Sequence, residues 1–312
     1  MKVALISVSH DPGDPDAKSV DIAIGRYLHH TMEGMSPLLG NDVDVTLVTN
    51  DSSRVSDDKG FAVHRAFRKN HLIGFALWRY FLRNRYEVVH LQHEFFIYGG
   101  PLRSVLLSLG LMFAPGAKRI TTAHYIVDID AVDTELVTSN NYRYPVWFIK
   151  FVLRVTYAIL FMASHKIIVH EDSHKQILVK NWKRYFRTID DRIAVVHHGV
   201  GKRESLPSEP ARRQLGGKAQ QYVLFFGYVS RHKGLELLLD AVEILQKRGH
   251  DISAIVAGGE HPKLASEKSY RTYYGELKKT RKRSAECCLA RFRNRRGTPG
   301  NIFSCGPWSV SV

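Results

Sequence analysis

The turn Arg231-His232-Lys233-Gly234 is the part of this chain best equipped for chemistry. Two permanent cations, Arg231 and Lys233, precede a glycine, and a helical pattern follows it at once. A helix N-terminus presents free N–H groups and the positive end of the macrodipole, so cations beside it suit a diphosphate. A basic turn of this kind also occurs in α/β domains that bind nothing. His124 follows the run Arg119–Thr122, and Gln92, His93 and Glu94 close the run from Val88. Polar groups just past a strand lie at the carboxyl edge of a sheet, where ligands of open α/β folds bind. Buried there, Gln92, His93 and Glu94 would need partners, so a structural network is the competing role. His170-Glu171-Asp172-Ser173-His174 matches HExxH. Two histidines at i and i+4 share a face only within one helix. Ile167-Ile168-Val169 puts His170 at a strand end and Ser173 near a helix start, so a zinc site is not expected. The sixteen histidines form no other ligand-spaced set in the sequence.

These residues need elements to position them. Apolar runs predict strands at Val3–Val8, Val43–Val48, Val88–Gln92, Arg119–Thr122, Lys166–Val169 and Ile193–Val196. Helical periodicity predicts Ser19–Met32, Phe75–Arg83, Leu102–Phe113, Pro145–Ala163 and Ser173–Tyr185 between them. The alternation argues for a doubly wound parallel sheet over residues 1–200. Residues 201–217, rich in Gly, Pro, Ser and charge, read as a linker. A second α/β domain then opens at 218. Tyr222–Phe226 reads as a strand covered on both faces, and Ile252–Ala257 as its neighbour. Leu235, Leu238, Leu239, Val242 and Leu245 recur at helical spacing, giving the intervening helix an apolar face.

Composition bounds the class. An apolar fraction of 44% and a charged fraction of 24% are globular values, and the length admits two domains. Met1-Lys2 runs straight into a short strand pattern with no signal-peptide h-region. Cys287, Cys288 and Cys305 all lie near the C-terminal end, so the body has no disulfide framework, which fits a cytoplasmic protein. Pro145–Ala163 is apolar and aromatic but carries Lys150 and Arg154. It reads as a core helix whose cations reach water, with weak contact to the inner face of a membrane as the secondary expectation. The net charge of +15 would suggest an anionic partner, but part of it is concentrated past Thr280.

The segments YVLFFGYVSRHKGLELLLDAVEIL (222–245), VVHLQHEFFIYGG (88–100), TTAHYIVD (121–128), IIVHEDSHKQIL (167–178), VVHHGV (195–200) and VAGGEHP (256–262) together resemble, in order and spacing, the retaining glycosyltransferases of family 4. The resemblance implies a GT-B fold, two Rossmann-like doubly wound parallel-sheet domains, with the second incomplete here. It implies transfer of a sugar from a nucleotide-diphosphate-sugar to a hydroxyl acceptor (glycan, lipid or small molecule) with retention. No cofactor, metal or nucleic acid is implied. By resemblance, Gly13, Gly227, Arg231, Lys233, Gly234, Gly258 and Gly259 hold the donor, and Gln92, His93 and Glu94 face the acceptor. His124 acts on the transferred sugar, with Arg231 and Lys233 as its catalytic partners. The loop His10–Asp14 has no GxGxxG, which counts against a dehydrogenase, and Gly13 lets backbone approach a ligand.

The chain departs from the family at two points. Tyr228 stands where the family has Arg, so Arg231 must substitute, and the paired glutamates expected farther along are missing. From about Thr280 the apolar periodicity is lost. Read one nucleotide forward, the codons permitted for residues 290–306 allow a strand, a Gly-containing turn and an acidic helix like the family's continuation. The expectation is a frameshift between Thr280 and Ala290, a basic tail over 281–312 and impaired activity. The alternatives are a non-catalytic nucleotide-sugar-binding remnant or partner subunit, and an anion- or nucleic-acid-binding protein that uses a genuine tail.

Overall fold

The computed structural model describes residues 1–8, 19–39, 42–50, 61–94, 97–99, 101–134, 137, 144–199, 221–260, 264–265, 267–283 and 288–290. The chain divides into two compact units, Met1–Gly201 and Lys202–Val312.

The first unit carries strands β1 Lys2–Ile6, β2 Asp44–Asn50, β3 Ala62–Phe67, β4 Val88–His93, β5 Lys118–Ala123, β6 Lys166–Val169 and β7 Ile193–Val195. They form one sheet in the order β3-β2-β1-β4-β5-β6-β7, with every pair parallel. Helices α1 Ser19–Met35, α2 Ile73–Arg83, α3 Pro101–Met112, α4 Val146–Ala163, α5 Asp172–Trp182 and the single turn α6 Ile189–Arg192 connect them. Along β1, Ala4 and Ile6 pack into one core with Phe81, Leu91 and Leu107. Val3 and Leu5 pack into another with Leu28 and Leu47. A strand buried on both faces is why these runs are continuously apolar rather than alternating.

The strand β3 is not among the expected elements. Its sequence, Ala-Val-His-Arg-Ala-Phe, buries only Phe67. It lies at the sheet edge, where a strand is half solvated and its apolar signal is weak. The helix α4 buries Leu153, Tyr157, Leu160 and Phe161, as a core helix should, yet exposes Trp147 (69%) and Phe151 (56%) near its start. It is long and apolar enough to cross a membrane, but its buried face belongs to the core around Ile167 and Val169.

The second unit carries β8 Gln221–Phe226, α7 Leu235–Lys247, β9 Ile252–Ala257, α8 Lys268–Arg283 and β10 Cys288–Ala290. Its sheet is parallel, in the order β10-β9-β8. One expectation is corrected here. The strand β8 is an edge strand with Leu224 and Phe226 exposed, so it is not covered on both faces; β9 is the strand that is buried throughout. The helix α8 runs to Arg283, and β10 pairs with β9. The helix α8 packs Tyr270, Tyr273, Tyr274 and Leu277 against Leu239 and Val256.

Candidate functional site

Register builds the first candidate site. Ala123 pairs with Val169, and Val169 with Val195. The next residues along β5 and β6, His124 and His170, therefore emerge side by side at the carboxyl edge of the sheet. Past β7, Val196 N–H still bonds the Val169 carbonyl (2.8 Å), which carries the chain on to His197 and His198. The three imidazoles of His124, His170 and His198 meet there. The ring centroids of His170 and His198 are 3.7 Å apart and stacked, and that of His124 lies 5.0 Å from His170. Tyr27 of α1 sets its ring edge-on to all three, at 4.7, 5.4 and 5.2 Å from His124, His170 and His198.

Hydrogen bonds fix which ring nitrogens carry protons. Gln92 Oε1 can only accept, so His124 Nε2–H donates to it at 2.9 Å. The Val196 carbonyl can only accept, so His170 Nδ1–H donates to it at 2.8 Å. The Gln92 amide nitrogen points at His90 Nε2 (3.4 Å), which Thr122 Oγ1 also meets at 2.8 Å. The remaining nitrogens, His124 Nδ1 and His170 Nε2, face each other at 3.2 Å. Burial, reinforced by the neighbouring imidazoles, pushes the His124 pKa down to about 3. Burial alone holds His90 and His93 at about 4, and is the main cause lowering His170. His90, His93 and His124 are therefore neutral at neutral pH and offer lone pairs rather than positive charge.

Of the proposed acceptor-side residues, Gln92 and His93 are buried within this network. The His93 carbonyl accepts the His124 N–H at 3.0 Å, and the Gln92 carbonyl accepts the Tyr98 hydroxyl at 2.6 Å. The Glu94 carboxylate accepts Ile97 N–H at 3.1 Å, tying the loop after β4. His174 stands inside α5, buried and edge-on to Tyr125, while His170 precedes that helix. The HExxH pattern is thus split between a strand end and a helix, as the sequence requires. Gly13 lies outside the described residues.

What sequence reasoning missed is the company His170 keeps. It joins His124 and His198 in a ligand-spaced set, so the expectation that no such set exists is corrected. The signal was present: TTAHY, IIVHE and VVHHG each place a histidine just after a strand, and neighbouring parallel strands align such positions.

The second site is the turn after β8. Gly227 has φ +125 and its N–H bonds the Ala257 carbonyl at 3.0 Å. Arg231–Lys233 form a 3-10 turn, and Gly234, with φ +62, caps α7. The helix therefore starts one residue past the glycine, and the N–H groups of Leu235, Glu236 and Leu237 form its N-terminus. Lys233 is exposed. The Arg231 guanidinium lies 4.7 Å over the ring of Tyr273, whose hydroxyl donates to Glu236 Oε2 at 2.6 Å. Exposed cations and an N-terminus without a side-chain cap are features that suit an anion, moderated by the Glu236 carboxylate in the first turn.

Gly258 and Gly259 differ in what they do. A Cβ on Gly258 would lie 1.8 Å from the Gly227 carbonyl oxygen, whereas Gly259 faces open space. Gly258 is required by packing, because it lets β9 run close beneath the turn. Gly258→Ala should lower stability by about 1–3 kcal/mol, the usual cost of overpacking. Denaturant unfolding monitored by circular dichroism checks this, and a melt indistinguishable from the parent would contradict the close approach.

No family model and no curated protein matches the chain. Solved structures do. Over 94% of this chain and 70% of the other, it is similar to WaaG, a glycosyltransferase involved in lipopolysaccharide biosynthesis, at 16% identity and a TM-score of 0.51. It is also similar to the α,α-trehalose-6-phosphate synthase of Burkholderia multivorans, at 12% identity and a TM-score of 0.49 over 95% and 72% of the two chains. The UDP-N-acetylglucosamine 2-epimerase of Rickettsia bellii follows at 10% and 0.44, over 93% and 68%. The likeness to WaaG is one of fold: the chain is α/β of GT-B type.

Proposed function

We propose that this protein transfers a sugar from a nucleotide-diphosphate-sugar to a hydroxyl acceptor, with retention, in the manner of the family 4 enzymes that its motifs resemble. The observation that carries the reading is the turn Ser230–Gly234, with Lys233 exposed, Arg231 beside it and the start of α7 behind them. The GT-B-type fold supports it. In the transfer, the bond between the anomeric carbon and a diphosphate oxygen breaks and its electron pair stays on the oxygen. Arg231, Lys233 and the first N–H groups of α7 stabilise the charge that develops there, so the leaving group itself needs no metal. His124 holds the sugar as that bond lengthens, and Gln92 orients the His124 ring through its 2.9 Å hydrogen bond.

Fold alone does not separate a transferase from other enzymes on the same scaffold, so the test must read chemistry. Nucleotide sugars and nucleoside diphosphates should raise the melting temperature of the chain where nucleosides lacking the diphosphate do not. The best of those sugars should release nucleoside diphosphate in the presence of an acceptor, as read by chromatography. Stabilisation without release would identify a non-catalytic binder. Absence of any diphosphate-dependent shift would sink the reading altogether.

A further inference from the structure

His124, His170 and His198 make an arrangement that sugar transfer does not require. Two of the three imidazoles already have one nitrogen occupied by an acceptor oxygen. His124 Nε2–H is held by Gln92 Oε1, and His170 Nδ1–H by the Val196 carbonyl. The nitrogens left over, His124 Nδ1 and His170 Nε2, then present lone pair to lone pair at 3.2 Å. Nothing bonds across that gap unless something positive stands between them. We propose that His124, His170 and His198 are the ligands of a divalent cation of the zinc class, bound at the carboxyl edge of β5, β6 and β7.

Tetrahedral coordination with metal–nitrogen bonds of 2.0–2.1 Å separates neighbouring ligand nitrogens by about 3.3 Å. The pair His124–His170 already stands at that spacing. The ligand nitrogens of all three residues lie within 4.8 Å of one another. Closing the set requires His198, exposed beyond the end of β7, to leave its 3.7 Å stack on His170 and turn its ring edge toward the other two. Gln92 and the Val196 carbonyl then fill the outer-shell role usual for metal-bound histidines: each accepts the second ring proton and so fixes tautomer and ring plane. Three neutral nitrogen ligands favour zinc, cobalt or nickel over magnesium or calcium, which prefer oxygen. A three-histidine set also leaves one coordination position for water or another oxygen ligand. Both proposed roles of His124 draw on one atom: with Nε2–H held by Gln92, its Nδ1 serves either the cation or the sugar, so a bound cation should block the transfer proposed above.

The test uses the full chain after dialysis against a chelator. Titration with cobalt(II) should give a saturable visible absorption of nitrogen-ligated, four-coordinate cobalt, and zinc should displace it. His198→Ala, at an exposed position, should leave the fold intact by circular dichroism and weaken cobalt binding more than tenfold, as should His170→Gln. Gln92→Leu should weaken it by about 10–100-fold through loss of the outer-shell bond. His250→Ala, exposed in the other unit, should change nothing. Absence of saturable binding to the folded parent at micromolar cobalt would overturn the proposal. Equal affinity in parent and His198→Ala would do the same. Neither result bears on donor binding, which the diphosphate-dependent melting shift reads separately.

Discussion

Lys233→Ala should lower sugar transfer by about 100- to 1,000-fold, the effect of removing one preorganised donor from a developing anion. Lys233 is exposed, so its loss opens no cavity and the fold should survive intact. Part of the effect should appear as weaker binding of free nucleoside diphosphate, because the leaving group carries its charge in the ground state too. Calorimetry with nucleoside diphosphates and steady-state kinetics separate the two contributions. Arg231 is a less clean probe. Its guanidinium rests on Tyr273, so truncation also disturbs α8. Kinetics and diphosphate affinity unchanged in Lys233→Ala would remove the anion site from the proposed mechanism.

The second large effect is expected at His124. If this ring acts as the sugar–phosphate bond lengthens, its interaction is stronger in the transition state than in the bound substrate. Such an interaction lowers kcat when removed and leaves donor affinity nearly unchanged. His124→Ala should therefore cut kcat roughly 100-fold, with donor Kd within about twofold of the parent. The variant also strips Gln92 Oε1 of its donor, a buried loss worth about 1–3 kcal/mol of stability. A melting curve must accompany the kinetics. A folded variant whose kcat is unchanged, or one whose donor affinity falls as much as its turnover, would rule out the transition-state role. A variant that does not fold would make His124 a structural residue.

The first unit was legible because a parallel sheet buried on both faces writes itself as apolar runs. Lys166–Val169 is found where it is expected, and α4 lies within a residue of its expected start. Where burial is one-sided, the signal fades. The edge strand β3 hides behind His64 and Arg65, and α8 carries its buried face on Tyr270, Tyr273 and Tyr274, whose hydroxyls mute the contrast with Lys and Arg around them. The spacing of those tyrosines and Leu277 at i, i+3, i+4 and i+7 was nonetheless a helix signal ahead of Thr280. At the sites, local sequence identified strand ends and a basic turn. It did not reveal that Glu236 sits in the first turn of α7 bonded to Tyr273, or that three histidines separated by up to 74 positions share one corner. Those are facts of register and tertiary packing, which no single segment encodes.

The stacking of Arg231 on Tyr273 has a consequence for the entropy of ligand capture. A free arginine side chain surrenders about 2 kcal/mol of rotamer freedom when an anion immobilises it. Here the guanidinium plane is already confined by an aromatic face, and the hydroxyl of that same ring is tethered to Glu236 on the helix behind the turn. Much of the ordering is thus complete before any ligand arrives. The affinity of the turn is then set partly from α8, by a residue 42 positions away in sequence that need never touch the diphosphate.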